Sequence, residues 1–299
     1  MDTAWKSPNQ ISGRPTVSVV LTTYNGASYL TQAIESILNQ TYPPQEVFVI
    51  DDASTDNTSE IVAKYGRFIQ YFRHTNRRER CYGRNFGASQ ATGEYIFFLD
   101  YDDYWAPEHI ERVLAGWGEA AVVYAYPRKH IDAEGRLRRR SRLRLPSDPG
   151  VALFSGWIGF PSALGFRREQ YPGFRDEYIG REDWEILLRA WIAGKKLRVL
   201  DTDTVHIREH RSRASHSPSL YTATKAIYET YHSCVPSSYL PYFLFHIGEM
   251  ALRFGEEKWG WSLIREALQR RPTLLMHYRR GLSLLKRSLR FYRRRSVQR

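Results

Sequence analysis

Short apolar runs alternate with segments of helical periodicity along most of this chain. Runs rich in β-branched and aromatic residues, typical of buried strands, lie at residues 17–21, 46–50, 68–72 and 95–99. Apolar residues at helical spacing predict a helix within residues 30–38, and the N-cap-rich segment 53–58 predicts another to about residue 65. Strands that alternate with helices predict an α/β fold with a mostly parallel sheet flanked by helices.

The pattern changes in the second half of the chain. Residues 122–126 and 137–145 flank a turn signal at 132–135, which predicts a hairpin with these two segments as its arms. A helix is expected over residues 181–193, followed by a strand over 197–200.

Strand signals stop after about residue 221, and only helical patterns follow. The sequence therefore predicts one α/β domain over residues 1–220 and a C-terminal helical appendage over 221–299.

The formal net charge of +12 is concentrated at the C-terminal end. Residues 270–299 contain 11 Lys and Arg residues and no acid, which leaves residues 1–269 nearly neutral. Apolar residues recur every three or four positions from Leu275 to Tyr292 and predict a basic amphipathic helix. Such a helix either lies on an anionic membrane or packs on the rest of the chain, and the sequence leaves both open.

Cysteine content and hydropathy bear on the expected compartment. Cys81 and Cys234 are far apart and form neither a disulfide framework nor a zinc pattern, which fits a reducing cytosol. The first residues lack the apolar core of a signal peptide, and no run of 18 apolar residues predicts a membrane span. We expect a cytoplasmic protein whose basic tail can contact the inner face of the membrane.

Two pairs of acids follow two of the predicted strands. Asp51 and Asp52 come after the strand at 46–50, and Asp102 and Asp103 follow the strand at 95–99. Neighbouring like charges raise the cost of ionisation, but hard divalent cations prefer carboxylate oxygens. The carboxyl ends of parallel strands are also where phosphorylated ligands bind in open α/β sheets. The alternative for Asp102 and Asp103 is a solvated acidic turn that caps the helix starting near residue 107.

Four sequence blocks in this order closely resemble the family 2 glycosyltransferases, which have the Rossmann-like GT-A fold. The blocks are VSVVLTTYN at 17–25, IDDASTD at 50–56, CYGRNFGASQATGEYI at 81–96 and GREDWE at 180–185. The resemblance covers about residues 16–215 and is specific for the family, but not for the sugar or the acceptor. One departure is Thr22, where the family often has proline.

The resemblance implies a nucleotide-sugar site. The residues it assigns to that site are Thr23, Tyr24, Asn25, Asp52, Arg84 and Asp100. Tyr24 would stack on the base, and Asp52 would accept the imide N–H of uracil or thymine. Arg84 would support this cluster of base and acid. The alternative for Asp52 is helix capping, which is also our interpretation of Asp56.

The resemblance also implies a metal site. Asp102, with Asp103 beside it, would coordinate Mn²⁺ or Mg²⁺. A histidine in this family often closes over the diphosphate or the metal. His210 is our candidate and His206 the second choice, while an ordinary loop histidine is the alternative to both.

Asp183 is the general base implied by the resemblance, with Glu182 next to it. Its place at a helix start would lower its pKa, whereas apolar neighbours such as Trp184 would raise it. Which effect dominates is left open by the sequence. Without the other blocks, both acids would be interpreted as ordinary first-turn residues.

These features together predict a metal-dependent inverting glycosyltransferase that uses a UDP- or dTDP-linked sugar in bacterial surface polysaccharide or glycan assembly. The six arginines within 136–144 would hold a phosphorylated, lipid-linked acceptor, or would form a solvated hairpin. No nucleic-acid-binding module is recognisable. A sugar-nucleotide pyrophosphorylase would need a basic glycine-rich loop, whereas only Gly26 follows the first strand. A non-catalytic nucleotide-sugar-binding or scaffold protein on the same fold is the other alternative.

Overall fold

The computed structural model describes residues 13–210, 219–277 and 281. The strands are β1 Val17–Thr23, β2 Glu46–Asp51, β3 Gln70–Arg73, β4 Tyr95–Asp100, β5 Tyr104–Trp105, β6 Val122–Ala125, β7 Lys129–Ile131, β8 Leu137–Arg140, β9 Leu164–Arg167, β10 Leu197–Leu200 and β11 Val205–Arg208. The α-helices are α1 Ala27–Leu38, α2 Thr58–Ala63, α3 Glu79–Gln90, α4 His109–Ala115, α5 Pro149–Phe154, α6 Glu182–Ile192, α7 Ser219–Tyr231, α8 Leu240–Arg253 and α9 Glu257–Arg270. The predicted α/β class is confirmed.

The main sheet aligns the ends of the strands that carry the motifs. Its order in the described part of the chain is β10-β6-β9-β4-β1-β2-β3. Strand β1 pairs in parallel with both β2 and β4, which places Thr23 opposite Asp51 and Thr22 opposite Asp100. Only β9 runs antiparallel, between β4 and β6. The acids predicted at strand ends therefore meet at one edge of the sheet.

A smaller sheet, with order β5-β11-β7-β8, lies beside this edge. Its strand β11 runs antiparallel to β5, just after the Asp102–Asp103 turn, and parallel to β7. His206, for which a loop histidine was the alternative interpretation, belongs to β11. Pairing with β5 brings the end of β11 against the acidic turn.

The predicted hairpin exists, but its first arm was assigned incorrectly. β7 and β8 are its arms, and they pair antiparallel around the turn at 132–135. The segment 122–126 instead contributes β6, which is entirely buried and pairs with β9 and β10 in the main sheet. Its continuous apolar run satisfies the burial that a central strand requires on both faces.

Helix α3 was not predicted, because its two glycines weaken the helical signal. The fold requires at least one of them. A Cβ atom at Gly87 would lie 2.4 Å from Cγ1 of Val20, so a larger residue would push α3 away from β1. Close packing on the sheet therefore outweighs helix propensity here.

Helices dominate after β11, as predicted. Helix α8 packs against the α/β layer, where the centre of the Phe243 ring lies 5.9 Å from the centre of the Trp184 ring of α6. Leu275 lies in a 3-10 helix, Pro272–Met276, and is exposed. The remainder of the predicted basic amphipathic helix lies outside the described residues, apart from position 281. No helix in 13–210 or 219–277 has both the length and the apolar content needed to cross a membrane.

Candidate active site

A cavity of about 550 Å³ opens at the carboxyl ends of β1, β2 and β4. Its walls combine the strand ends with the start of α3, the loop at 156–161, the start of α6 and the end of α8. The predicted residues that line it are Thr23, Tyr24, Asp52, Arg84, Asp100, Asp102, Asp103, Glu182, Asp183 and His210. The fold thus collects ten of the eleven predicted site residues around one space.

Asn25 is the predicted residue that the structure places outside the cavity lining. Its side-chain oxygen accepts the Thr55 N–H at 2.8 Å, and its own N–H donates to Ser54 Oγ at 2.9 Å. Its backbone has φ +49°, a conformation that Asn tolerates better than most residues. Asn25 therefore joins the loop after β1 to the loop after β2.

Asp52 is held by backbone donors at the start of α3. Its two carboxylate oxygens accept the N–H groups of Arg78 at 2.7 Å and Glu79 at 2.9 Å. Asp52 thus satisfies two backbone N–H groups at the start of α3 from outside that helix, a role related to the capping alternative. Each carboxylate oxygen has a second lone pair, so Asp52 retains the capacity to accept a further hydrogen bond.

Tyr24 forms the neighbouring wall of the cavity. The guanidinium carbon of Arg77 lies 4.4 Å from the centre of its ring, a cation–π contact. The Thr23 hydroxyl is buried and makes no hydrogen bond to a described residue. An aromatic face, a cation and a carboxylate therefore surround this end of the cavity, which suits a planar base attached to an anionic phosphate chain.

A candidate cation site is formed by Asp100, Asp102 and Asp103. One carboxylate oxygen of each residue lies within 4.8 Å of the corresponding oxygens of the other two. Asp103 is buried and already accepts the Arg208 N–H at 2.8 Å and the Ser162 hydroxyl at 2.6 Å. Asp102 is less buried and lies 2.8 Å from Nε2 of His210. Carboxylate oxygens are ligands that suit Mn²⁺ and Mg²⁺, whereas an imidazole nitrogen is more typical of transition-metal sites than of Mg²⁺ sites.

The two candidate histidines have different surroundings. His210 contacts Asp102 at the cavity, whereas His206 stacks on Tyr104 with ring centres 4.3 Å apart. Burial lowers the pKa of His206 to about 4, so it is neutral at physiological pH. These contacts support His210 as the candidate ligand and give His206 a packing role.

Arg84 is almost fully buried and connects two parts of the site. Its Nη2 donates to Asp100 at 2.7 Å and its Nη1 to Glu182 at 3.1 Å. The sequence placed Arg84 beside the base and Asp52. In the structure its guanidinium instead joins the end of β4 to the start of α6.

The two adjacent acids of α6 have opposite electrostatic environments. Burial alone would raise the pKa of Glu182, but Arg84 and Arg80 outweigh it and hold that pKa below its ordinary value. Burial and the neighbouring Glu182 carboxylate raise the pKa of Asp183 to about 6. Desolvation and the Glu182 charge therefore outweigh Arg181, Arg84 and the Trp184 N–H, which all favour the ionised form of Asp183.

A glycine-rich loop covers Asp183. A Cβ atom at Gly159 would lie 3.5 Å from the Asp183 carboxyl carbon, and the Gly159 backbone has φ +148°. The loop backbone therefore approaches Asp183 closely without a side chain over it. An ionised carboxylate with a pKa near neutrality, beside a cavity, is suited to accept a proton.

A match to the family model "Glycosyl transferase family 2" extends over residues 18–179, which is more than half of the chain. The chain belongs to this family. The two catalytic candidates of α6 lie just beyond the matched residues.

Relatives of this family 2 chain include bacterial proteins of different lengths. A Rickettsia bellii protein named as an uncharacterized glycosyltransferase is 37% identical over 123 residues, which are 40% of this chain and 18% of that protein. EpsH of Bacillus subtilis is 27% identical over 233 residues, 72% of this chain and 68% of EpsH. The chain thus spans less than a fifth of the first relative and about two thirds of the second.

Solved structures of similar fold confirm the GT-A architecture. Residues 1–349 of Staphylococcus aureus TarS, in complex with UDP-GlcNAc, match with a TM-score of 0.58 at 19% identity, covering 89% of this chain and 92% of that one. The mannosyltransferase PcManGT from Pyrobaculum calidifontis, in complex with GDP-Man and Mn²⁺, matches with a TM-score of 0.52 at 18% identity, covering 93% and 87%. At these identities the likeness establishes the fold.

Two arginines near the site had no role in the sequence interpretation. Arg208, at the end of β11, is buried and donates from Nε to the Asp102 carbonyl at 2.8 Å as well as from its backbone to Asp103. Arg181 lines the cavity just before Glu182. Both lie within segments that the sequence singled out, but their partners come from distant parts of the chain.

The arginine-rich hairpin is largely neutralised by nearby acids. The ion pairs join Arg136 to Asp132 and Glu134, Arg138 and Arg139 to Glu209, and Arg140 to Asp203. Four of its six arginines therefore have acidic partners. This pairing favours the interpretation of a surface hairpin over that of a phosphate-binding arm.

Proposed function

We propose that this chain is a metal-dependent inverting glycosyltransferase that transfers a sugar from a nucleotide-sugar donor to an acceptor hydroxyl. The observation that carries the proposal is the shared cavity, which holds the Asp102–His210 pair and the Asp183 carboxylate with its raised pKa. One group can bind a cation at a diphosphate and the other can accept a proton, which are the two functions that a metal-dependent inverting transfer uses.

The donor would lie with its base between Tyr24 and Asp52 and its diphosphate at the acidic turn. Asp52 would accept the imide N–H of the base, which favours uridine or thymidine. Asp102, with Asp100, Asp103 and His210 close by, would hold Mn²⁺ or Mg²⁺. The bound cation supplies neutralisation of the negative charge that develops on the departing diphosphate.

Asp183 would take the proton from the acceptor hydroxyl as that oxygen attacks the anomeric carbon. The bond from this carbon to the nucleoside diphosphate breaks on the opposite face, so an α-linked donor gives a β-linked product. Glu182 would remain ionised through its ion pair with Arg84, and its charge helps to keep the Asp183 pKa high. A high pKa makes Asp183 a better proton acceptor than an ordinary aspartate.

We further propose a catalytic region over residues 1–220 and a helical region over 221–299 that closes one end of the cavity. Arg253 of the helical region lines that end. Assembly of a bacterial surface polysaccharide or glycan at the inner face of the membrane fits the family and the basic residues 270–299. The charge of that tail is the support for the membrane contact.

Nucleotide binding tests the donor site and the cation site together. We expect one of UDP, dTDP, GDP and CDP to bind with a dependence on Mn²⁺ when each is titrated calorimetrically, with UDP or dTDP preferred. Asp102→Ala should weaken the Mn²⁺-dependent binding by roughly 100-fold or more. Loss of a residue that only hydrogen-bonds to a metal ligand already lowers metal affinity by about 10- to 100-fold, and Asp102 would be a ligand itself. Asp176→Asn, an exposed acid outside the cavity, is the control and should bind as wild type. Absence of binding by all four nucleotides would contradict the proposed function.

The pKa of Asp183 predicts an acidic limb in the pH profile of transfer. Because that pKa is about 6, the ionised base is lost as the pH falls through 6. We expect kcat to be constant near pH 8 and to decrease by about tenfold for each pH unit well below 6. Initial rates between pH 5 and 8 at saturating substrates would test this. A profile without this limb would contradict the assignment of Asp183 as the base.

A further inference from the structure

Arg181 is a partly buried cation that forms no ion pair with a described residue, although the charge of the neighbouring Asp183 acts on it. Its Nε donates to Thr224 Oγ1 at 3.2 Å and its Nη2 contacts His246 Nε2 at 3.0 Å, both on the C-terminal helices. Its guanidinium also lies over the Trp184 ring at 5.2 Å. Among the described residues, none forms an ion pair with Arg181 and none hydrogen-bonds to its Nη1. Charges removed from water in proteins are usually paired, so a guanidinium without an ion pair can still bind an anion from outside the chain.

The location of Arg181 associates it with the acceptor end of the cavity. It precedes Glu182 and Asp183 in sequence, and it lines the same cavity as Asp183. Its side-chain contacts are with α6, α7 and α8, whereas the proposed nucleotide and metal groups contact α3, β4 and β11. An anion at Arg181 would therefore belong to the molecule whose hydroxyl meets Asp183.

A second cation lies close to Arg181. Arg253, at the end of α8, lines the cavity and is exposed. Burial lowers the pKa of Arg181 to about 10; the Asp183 carboxylate opposes this lowering, and Arg253 adds to it. Arg181 nonetheless keeps its charge at neutral pH. Two neighbouring cations repel each other, and an oxyanion between them would relieve that repulsion.

We propose that Arg181, together with Arg253, binds an oxyanion of the acceptor near the hydroxyl that receives the sugar. A phosphate suits the site best, because a guanidinium binds phosphate oxygens through paired hydrogen bonds and a second cation balances the second charge. This inference rests on the proposed function. It also places anion recognition at the cavity and not on the hairpin, where four arginines already have acidic partners.

The test uses the full chain saturated with UDP and Mn²⁺, so that the proposed nucleotide site is filled. Glycerol 1-phosphate, methyl glucuronide and glycerol are titrated by NMR as phosphate, carboxylate and neutral probes. Wild type should bind glycerol 1-phosphate at least about tenfold more tightly than Arg181→Gln and Arg253→Gln do, and glycerol should not bind measurably. Arg181→Lys should retain part of the affinity. Arg112→Gln, an exposed arginine of α4 outside the cavity, should bind as wild type.

The outcomes separate this inference from the proposed function. Binding of methyl glucuronide that depends on Arg181, without such binding of the phosphate, would support the oxyanion site and identify its group as a carboxylate. Equal binding of both anionic probes to wild type, Arg181→Gln and Arg253→Gln would overturn the inference while leaving UDP binding intact. If Arg181→Gln bound UDP more weakly but bound both anionic probes as wild type does, Arg181 would contact the donor, and the inference would be overturned.

Failure of wild type to bind any nucleotide would contradict the proposed function, and the probes would then be titrated without nucleotide. Arg253 is exposed, so its variant tests the site even if Arg181→Gln does not fold.

Discussion

Replacement of Asp183 by asparagine is expected to lower kcat for sugar transfer by about 10²- to 10⁴-fold, the usual contribution of a positioned general base. Asparagine keeps the shape of the side chain and can still accept a hydrogen bond from the Trp184 N–H. In the wild type, the Trp184 nitrogen lies 2.7 Å from Asp183 Oδ1. It cannot take a proton from the acceptor. Initial rates of transfer and calorimetric titration of the nucleotide would be measured on the same preparations.

Nucleotide affinity and stability should be preserved in Asp183→Asn. The fold raises the Asp183 pKa, which means that it disfavours the ionised form at neutral pH, so a neutral side chain should not lower the melting temperature. The residual rate should also lose the acidic limb near pH 6. Asp176→Asn, seven positions earlier and exposed, should transfer sugar at the wild-type rate. Transfer by Asp183→Asn at the wild-type rate would show that another group is the base.

Replacement of Arg84 by methionine is expected to reduce the free energy of unfolding by about 3–5 kcal/mol, as for other buried ion pairs that lose one partner. Arg84 lies between Asp100 and Glu182, and its side chain is 2% exposed. The partners that remain to Glu182 without it include the more distant Arg80 at 3.8 Å and the Gly180 N–H at 2.6 Å. Denaturant unfolding of the two proteins would measure the loss.

A double-mutant cycle identifies the cause of that loss. Because Glu182→Gln removes the charge that Arg84 neutralises, the Arg84→Met/Glu182→Gln protein should lose less stability than the sum of the two single variants. Arg112→Met removes an exposed helix arginine that pairs with Glu108 at 3.4 Å, and it should change the unfolding free energy by no more than about 0.5 kcal/mol. If Arg84→Met and the wild type had the same denaturant concentration at the unfolding midpoint, the buried network would not contribute to the stability of the fold.

Local patterns were sufficient for much of the fold. The strands that end near Thr23, Asp51 and Asp100 were recognisable from their apolar runs, and helix α6 from its apolar side. Helix α3 escaped because Gly83 and Gly87 carry no helical signal, although packing against β1 requires the small residue at Gly87. The hairpin arm was misassigned because β6 pairs with strands that are distant in sequence.

The candidate site was predictable only as a set of residues. The family motifs named Asp52, Asp102 and Asp183, but not the groups that they contact. Asp52 accepts its hydrogen bonds from residues 78 and 79, and Asp102 meets a histidine 108 positions away. Residues that were never singled out, such as Arg208, hold the acidic turn in place.

The sequence by itself determined the α/β alternation, the family and the acids at the strand ends, because these depend on local periodicity and on short motifs. The tertiary structure decided which charges are balanced. It joined Arg84 to Glu182 across 98 positions, raised the Asp183 pKa, neutralised most of the arginine hairpin and left Arg181 without an ion pair among the described residues. Coulomb energies and desolvation depend on distances and burial in three dimensions, and residues far apart in sequence set both.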